Sequence, residues 1–199
     1  MKRNKLHRIG SYKKNQNSNS SLNSFSFYWY LKAEEFKRAS DVSYVQICLD
    51  QHQLEHKMQT KTIDYTKRMD PFLWPTYILL ISFALENLFK GLLLHNQPNL
   101  IEGNILAGRH FKSHDLISLA TDCNFKLNED EKRLCDIGSE FIKGFGRYPM
   151  TKNSKDEIYS FHINVTNTKE SFESLYERLA AYMEYVGALT KPGGKQGSR

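Results

Sequence analysis

The sequence predicts an all-α fold, an up-and-down bundle of about five helices. Between Ser11 and Asp70 there is neither glycine nor proline, so long uninterrupted helices are allowed in that region. Beyond the first 24 residues, apolar residues recur at intervals of three and four over several long segments. The 199 residues, 40% of them hydrophobic, are enough for one domain with a core and too few to expect two.

The two ends of the chain differ in composition from the rest. Residues 1–24 contain six Lys or Arg, ten Ser or Asn and no acid, and residues 191–199 contain three basic residues and no acid. We expect both to be disordered basic arms that flank a helical domain at 25–190. That domain holds 19 basic and 22 acidic residues, so the formal charge of +6 belongs to the arms. Such arms are most often solvated tails, although they can bind phosphate backbones non-specifically.

Several features favour a cytoplasmic protein. The basic start is followed by Ser and Asn and not by an apolar segment, which argues against a secretory signal. An organellar transit peptide remains an alternative, because no acidic residue precedes Glu34. The three cysteines lack any CxxC spacing, as expected of reduced thiols. The most apolar stretch, Tyr77–Leu94, contains Glu86 and Lys90, and a charge at the centre of a membrane span costs about 2.5–3.5 kcal/mol. We therefore predict no membrane association.

Two helices are predicted ahead of the central one. The first runs near Phe27–Ala39, and the second runs from Val42 towards Arg68 after a cap at Ser40-Asp41. The second helix has a narrow apolar stripe, Ile47–Met69. Such a stripe either leans on the edge of the domain or meets a partner helix.

The third helix, Thr76–His95, is apolar on nearly every side, which predicts that it is the central, buried element of the bundle. Asp70-Pro71 ahead of it is typical of a helix start, with an N-cap followed by a proline in the first turn. A short helix is predicted to begin at Ser113.

The last third of the chain predicts two more helices and one extended segment. Asn128 to Glu131 resemble a capping box, which opens a helix to about Lys143. Three residues close that helix: Gly144, Gly146 and Pro149. Residues 158–165 alternate between apolar and polar, which is typical of a short strand that could pair across a dimer or pack as an extended loop. The final helix is predicted near Thr168–Leu189, with one apolar face.

Three short stretches carry polar groups in or beside the most apolar part of the chain. Glu86 and Lys90 stand four residues apart on the central helix, His114 and Asp115 open the short helix, and Arg147 lies in Gly146-Arg147-Tyr148-Pro149. Each has an ordinary explanation when taken alone. An i,i+4 pair of Glu and Lys contributes only about 0.2–0.5 kcal/mol to a helix, and an acid suits any helix N-terminus.

Together and in this order, the stretches resemble the HEPN superfamily. Members of that superfamily are helical bundles that have an acid-x-x-x-Lys helix, a Lys-Thr-His-Asp-Leu-like helix start and an Arg-Tyr-Pro turn. The resemblance covers roughly residues 75–150, and the ligand-binding positions that it implies are Glu86, Lys90, His114, Asp115 and Arg147. It also implies two functional branches. One comprises metal-independent endoribonucleases, often toxins or antiviral effectors, and the other comprises non-catalytic binders of nucleotides or RNA, often beside a nucleotidyltransferase.

The endoribonuclease branch is marked by an Arg and a His separated by four to six residues, usually on a late helix. In this chain the match is Arg109 with His114, ahead of the short helix, whereas the last helix carries Arg178 and no histidine. Metal-free RNA cleavage needs an acid or base that works near neutral pH and a cation on the phosphate, which His and Arg supply. We expect a non-catalytic module, with an endoribonuclease using Arg109 and His114 as the alternative.

A second motif points to different chemistry. His52-Gln53-Leu54-Glu55-His56 matches the inverted zinc-protease pattern, in which two His ligands lie one turn apart beside a Glu base. The segment is polar and has no clear third-ligand motif, so a solvated helix face explains it better. We predict no metal and no cofactor. Cys123 and Cys135 have no assignable activating partner and are predicted to be core thiols.

The sequence therefore predicts a HEPN-like module that binds a nucleotide or RNA, in a defence or toxin–antitoxin pair. The expected partner is a nucleotidyltransferase or an antitoxin. A homodimer is an alternative that the sequence leaves undecided. A third alternative is a structural bundle that binds a protein partner through the Ile47–Met69 stripe.

Overall fold

The computed structural model describes residues 18–60, 73–102, 105–106, 109–145 and 165–189. Five α-helices dominate the described residues: α1 (Ser18–Gln59), α2 (Trp74–Asn96), α3 (Leu116–Asp122), α4 (Glu129–Glu140) and α5 (Val165–Tyr185). A π-helical turn continues α4 over Phe141–Phe145. Between α2 and α3 lie two 3-10 turns, Pro98–Leu100 and Arg109–Lys112, and two short antiparallel strands, β1 (Ile101–Glu102) and β2 (Ile105–Leu106). The predicted all-α bundle is confirmed.

The first 42 helical residues form one helix and not two. The predicted cap at Ser40-Asp41 is wrong, because the Ser40 hydroxyl donates to the Lys37 carbonyl, 2.6 Å away, inside a continuous α1. Without glycine or proline to interrupt it, the helix runs straight through this point. It also begins at Ser18, so seven residues of the predicted arm, 18–24, are helical.

The inner face of α1 consists of residues spaced seven apart, which lets it lie close against α2. Ser26, Ala33, Ser40 and Ile47 are all buried. A Cβ added to Gly91 of α2 would lie 3.1 Å from Trp29 Cβ and 3.2 Å from the Ser26 carbonyl oxygen, both on α1. The small side chains on both helices therefore allow the two backbones to pack tightly.

The predicted central helix is confirmed as α2. Its residues from Ala84 to Leu94 are all buried, and it contacts α1, α3, α4 and α5. By length and composition it could cross a membrane, but 83% of its most apolar window is buried inside the bundle, as in the core helix of a globular domain. The predicted start at Asp70-Pro71 lies outside the described residues, and Pro75 occupies the first turn of the helix as described.

The capping box of α4 is confirmed, and it also ties α4 to α5. The Asn128 side chain accepts from the Glu131 backbone N–H, and the Glu131 carboxylate accepts from the Asn128 N–H. The same carboxylate receives two hydrogen bonds from the Arg178 guanidinium, at 2.9 and 2.6 Å. The predicted apolar face of α5 is confirmed for Phe172, Leu175, Leu179 and Met183, which are all buried.

Some sequence predictions fall outside the described residues. These are the two arms at 1–17 and 191–199, the closing residues Gly146 and Pro149, and most of the strand at 158–165. Val165, the last residue of that strand, is instead the first residue of α5.

Candidate functional site

The candidate site is built on one turn of α2, in the middle of the bundle. Glu86 and Lys90 lie one turn apart, and the Lys90 ammonium donates to a Glu86 carboxylate oxygen 2.5 Å away. Their side chains are only 7% and 4% exposed. A buried charge is costly unless it is paired and hydrogen-bonded, so each of these residues requires the other.

The segment that leads into α3 crosses directly over this pair. Lys90 Nζ also donates to the Phe111 carbonyl oxygen, 3.0 Å away. The indole of Trp29, on α1, lies under the same ammonium at 5.9 Å and packs against the Phe111 ring at 6.0 Å. Lys90 therefore fixes the backbone of the Arg109–Lys112 turn, and α1 closes the site from the other side.

His114 completes the cluster and brings it to the surface. Its Nδ1 atom lies 3.2 Å from both carboxylate oxygens of Glu86, and its side chain is 40% exposed. Because a carboxylate can only accept, Nδ1 must carry the hydrogen in this contact. In the neutral imidazole, Nε2 then has a free lone pair, and it is the ring nitrogen left for an outside group.

The position of Asp115 differs from the predicted one. The helix begins after it, at Leu116, and Asp115 is the N-cap: its carboxylate accepts from the Ser118 backbone N–H, 2.9 Å away. The Leu116 N–H is bonded to the Ser139 hydroxyl at 2.9 Å. The predicted helix start at Ser113 is therefore wrong by three residues, and protein groups already accept from two of the N–H groups in the first turn of α3.

The five residues implied by the family resemblance do not form one ligand-contacting set. Glu86 and Lys90 are buried against each other and cannot touch a ligand in this arrangement, so their part is to position His114 and the turn before it. Asp115 caps α3. Arg147 lies outside the described residues, and Arg109 is described only as the first residue of a 3-10 turn.

The arrangement has a definite chemical capacity. A buried carboxylate that holds Nδ1–H fixes both the tautomer and the orientation of an imidazole, which leaves Nε2 to accept a hydrogen bond or a proton. A hydroxyl or a base N–H of a nucleic acid could meet that nitrogen. When the ring is protonated, Nε2–H can instead donate to a phosphate oxygen.

The zinc-like motif lies on the exposed end of α1. His52 is 80% exposed and its Nδ1 atom lies 3.8 Å from a Glu55 carboxylate oxygen, while His56 is also exposed. Within the described part of the chain, no three His, Cys, Asp or Glu residues are grouped so that they could hold a metal ion. The two predicted core thiols, Cys123 and Cys135, are buried, and burial raises the pKa of each to about 12.

A second polar cluster joins α1 to α5 and has a structural explanation. Lys37 contacts Asp41 at 2.6 Å and Glu173 at 3.4 Å, and Lys169 also contacts Glu173. Burial alone would raise the pKa of Glu173, but the hydrogen bond from Lys169 and the charge of Lys37 outweigh it and hold that pKa below its ordinary value. Every charge in the cluster has a partner within α1 and α5.

The predicted partner-binding stripe, Ile47–Met69, does not face solvent at its start. Ile47 is buried against the bundle and Leu54 is half-buried, while 61–69 lie outside the described residues. Of the two alternatives for this stripe, the burial of Ile47 agrees with the one in which the stripe packs against the domain.

Comparisons with known proteins add no family to this picture. No family model, curated protein or solved structure matches the chain. The HEPN resemblance therefore rests on the three short stretches and on the cluster that two of them form.

Proposed function

We propose that this chain is a HEPN-like module that binds RNA or a nucleotide through the exposed edge of His114. The observation that carries the proposal is the contact between His114 Nδ1 and the buried carboxylate of Glu86. An imidazole held in one tautomer at the surface presents its other nitrogen to a ligand in a fixed orientation. A core pair alone would not require a histidine that is 40% exposed.

The surroundings of His114 suit a polyanionic ligand. Lys112 is exposed two residues before it, and Arg109 starts the same 3-10 turn. Binding of phosphates by such residues would be salt-dependent. The basic arms, six positive residues at one end and three at the other, would add non-specific affinity. We also propose that the module works with a nucleotidyltransferase or an antitoxin as its partner.

The second candidate is a metal-independent endoribonuclease that uses Arg109 and His114. The orientation of His114 by Glu86 favours it, since a neutral Nε2 could take the proton of a 2′-hydroxyl as that oxygen attacks the phosphate. Arg109, five residues before His114, could stabilise the charge on the phosphate.

Binding can be tested by fluorescence anisotropy with a labelled single-stranded RNA at low salt. We expect His114→Ala to weaken binding about 5- to 10-fold, the effect of losing one hydrogen bond of about 1–1.5 kcal/mol. Glu86→Gln should have a smaller effect, because the amide oxygen can still accept from Nδ1–H. His52→Ala, also an exposed histidine, is the matched control and should bind like the wild type. Equal binding by the His114 variant and the control would contradict the proposal.

The same preparations separate the two candidates. With chelator present, the binding module leaves RNA intact. Cleavage to cyclic-phosphate ends that is lost in both His114→Ala and Arg109→Ala, with folding retained, would instead establish the endoribonuclease.

A further inference from the structure

The outward face of α1 carries a row of exposed residues that the fold does not cover. Five large apolar side chains in this row are exposed: Tyr28 59%, Leu31 40%, Val42 72%, Val45 58% and Leu49 51%. Glu35 and Arg38, also exposed, lie between Leu31 and Val42. We call the six residues from Tyr28 to Val45 the outer stripe, and Leu49 continues the row by one further step of four.

The stripe lies on the side of α1 that faces away from α2. The inner face, marked by Ser26, Ala33 and Ser40, is buried against the bundle. At 100° per residue, the outer stripe falls roughly opposite that face. The long α1 is therefore apolar on two sides, and its own bundle satisfies only one of them. An exposed apolar patch of this kind marks a surface that binds something.

The spacing within the stripe is that of a coiled-coil seam. Its residues follow each other at steps of three, four, three, four and three, which is the a/d pattern of a heptad repeat. The seam from Tyr28 to Val45 is about 26 Å long. A face with this spacing fits another helix better than it fits a small ligand or an extended peptide.

The order of apolar and charged residues along the stripe indicates which helix would pack against it. Read in either direction, the stripe has two apolar residues, two charged residues and two apolar residues, and the two charges are opposite. We propose that two copies of this chain pair antiparallel through the outer stripes of α1, about a two-fold axis. Glu35 of each copy then lies opposite Arg38 of the other.

The apolar residues fall into register in the same alignment. Leu31 lies opposite Val42 of the second copy, and Tyr28 lies opposite Val45, each twice by symmetry. Such a surface is complementary to itself. An isologous interface requires self-complementarity, whereas an interface with a different protein does not. A parallel pairing in register would instead set Glu35 against Glu35 and Arg38 against Arg38, which repel.

The state of the two charges in the single chain agrees with this pairing. Arg38 has no ion-pair partner among the described residues, whereas Glu35 contacts only Lys32 of its own helix, in an exposed i,i+3 pair. Exposed pairs of that kind contribute little, so Glu35 is free to exchange Lys32 for a guanidinium. A bidentate Arg–carboxylate contact in a desolvated seam is the stronger one.

The pairing can be tested by exchanging charges in the full-length chain. Glu35→Arg puts four positive groups at the centre of the seam, and Arg38→Glu puts four negative groups there. We expect the wild type to sediment at twice the mass of the single chain and each variant to sediment as a monomer. An equimolar mixture of the two variants should form one-to-one heterodimers, because one chain then presents two arginines to two glutamates.

Two further variants make the result decisive. The double variant Glu35→Arg/Arg38→Glu restores opposite charges and should dimerise again, whereas Glu55→Arg, an equal charge change at another exposed position on α1, should leave the dimer unchanged. A wild type that stays monomeric at all concentrations would overturn the proposal. So would a dimer that survives both single variants, or single variants that fail to pair when mixed. Binding of the wild-type monomer to an unrelated protein through this stripe would also overturn it.

Discussion

The Nδ1 atom of His114 lies 3.2 Å from both carboxylate oxygens of Glu86, a residue that precedes it by 28 positions and lies inside the bundle. This contact joins the most buried helix to a segment at the surface. The Glu86 charge is held in place by Lys90, which also fixes the turn before His114 through the Phe111 carbonyl. Stability of the core and orientation of the imidazole therefore depend on the same ion pair.

Removing one member of that pair should destabilise the protein more than replacing both. Lys90→Met leaves the Glu86 carboxylate buried without its strongest partner, and we expect a loss of about 3–5 kcal/mol in the free energy of unfolding. The double variant Glu86→Leu/Lys90→Met should recover much of that loss, because no buried charge remains. Urea denaturation of the three proteins measures the difference. A double variant no more stable than Lys90→Met would contradict the claim that an unpaired buried charge causes the loss.

The contact between α2 and α4 should not tolerate a methyl group. A Cβ added to Gly138 would lie 2.6 Å from the Ser82 hydroxyl oxygen and 3.0 Å from Leu116 Cδ1. We expect Gly138→Ala to cost about 1–3 kcal/mol. The Ser82 hydroxyl is buried and has no hydrogen-bond partner within the described residues, so Ser82→Ala alone should be close to neutral and should relieve part of the loss in the double variant.

Gly144 provides the matched control for that substitution. No atom lies within 4 Å of a Cβ added there, so Gly144→Ala should be neutral or slightly stabilising. Thermal or urea denaturation should separate the two glycines clearly. Equal effects at both positions would show that α2 and α4 do not approach as closely as described.

The native protein should expose one reactive thiol out of three. Burial raises the pKa of Cys123 and of Cys135 to about 12, so almost no thiolate forms at pH 8, whereas Cys48 is half-buried on α1. A thiol reagent should therefore modify one group per chain in buffer and three in denaturant. Cys48→Ser should remove the fast reaction. Rapid reaction of two or three thiols in the native state would contradict the buried positions.

Acid should weaken the junction of α1 and α5. The Glu173 pKa is held below its ordinary value of 4.5, so its contribution to stability is complete above that value and is lost as the pH falls through the lower folded pKa. Glu173→Gln should cost about 1 kcal/mol at pH 7 and almost nothing at pH 2. Glu177→Gln, an exposed acid on the same helix, serves as the control. A Glu173 effect that does not shrink in acid would show that its charge is not what stabilises the junction.

The fold was largely predictable because its strongest features are local. The apolar run of α2, the capping box at Asn128 and the apolar face of α5 can each be recognised within a window of about 20 residues. The continuous α1 was missed because Ser40-Asp41 also looks like a helix cap. A serine can bond to a carbonyl within a helix just as well, and the local sequence does not distinguish the two cases.

The site was predictable only in part, for a different reason. The sequence identified Glu86, Lys90 and His114, but it could not show that the first two are buried against each other, since burial depends on the packing of α1 over them. The outer stripe has a clear spacing signal, yet α1 has an inner seam with a similar repeat. Only the packing against α2 tells which of the two is left uncovered.

The most direct measurement of the role of His114 is NMR of its imidazole while single-stranded RNA is added. We expect the free protein to show Nδ1–H as the neutral tautomer, and we expect the His114 ring resonances to shift on titration while those of exposed His52 stay in place. The shift should weaken in Glu86→Ala, provided that variant remains folded. RNA binding that leaves the His114 ring unshifted, or a ring that carries its proton on Nε2 in the free protein, would contradict the proposed site.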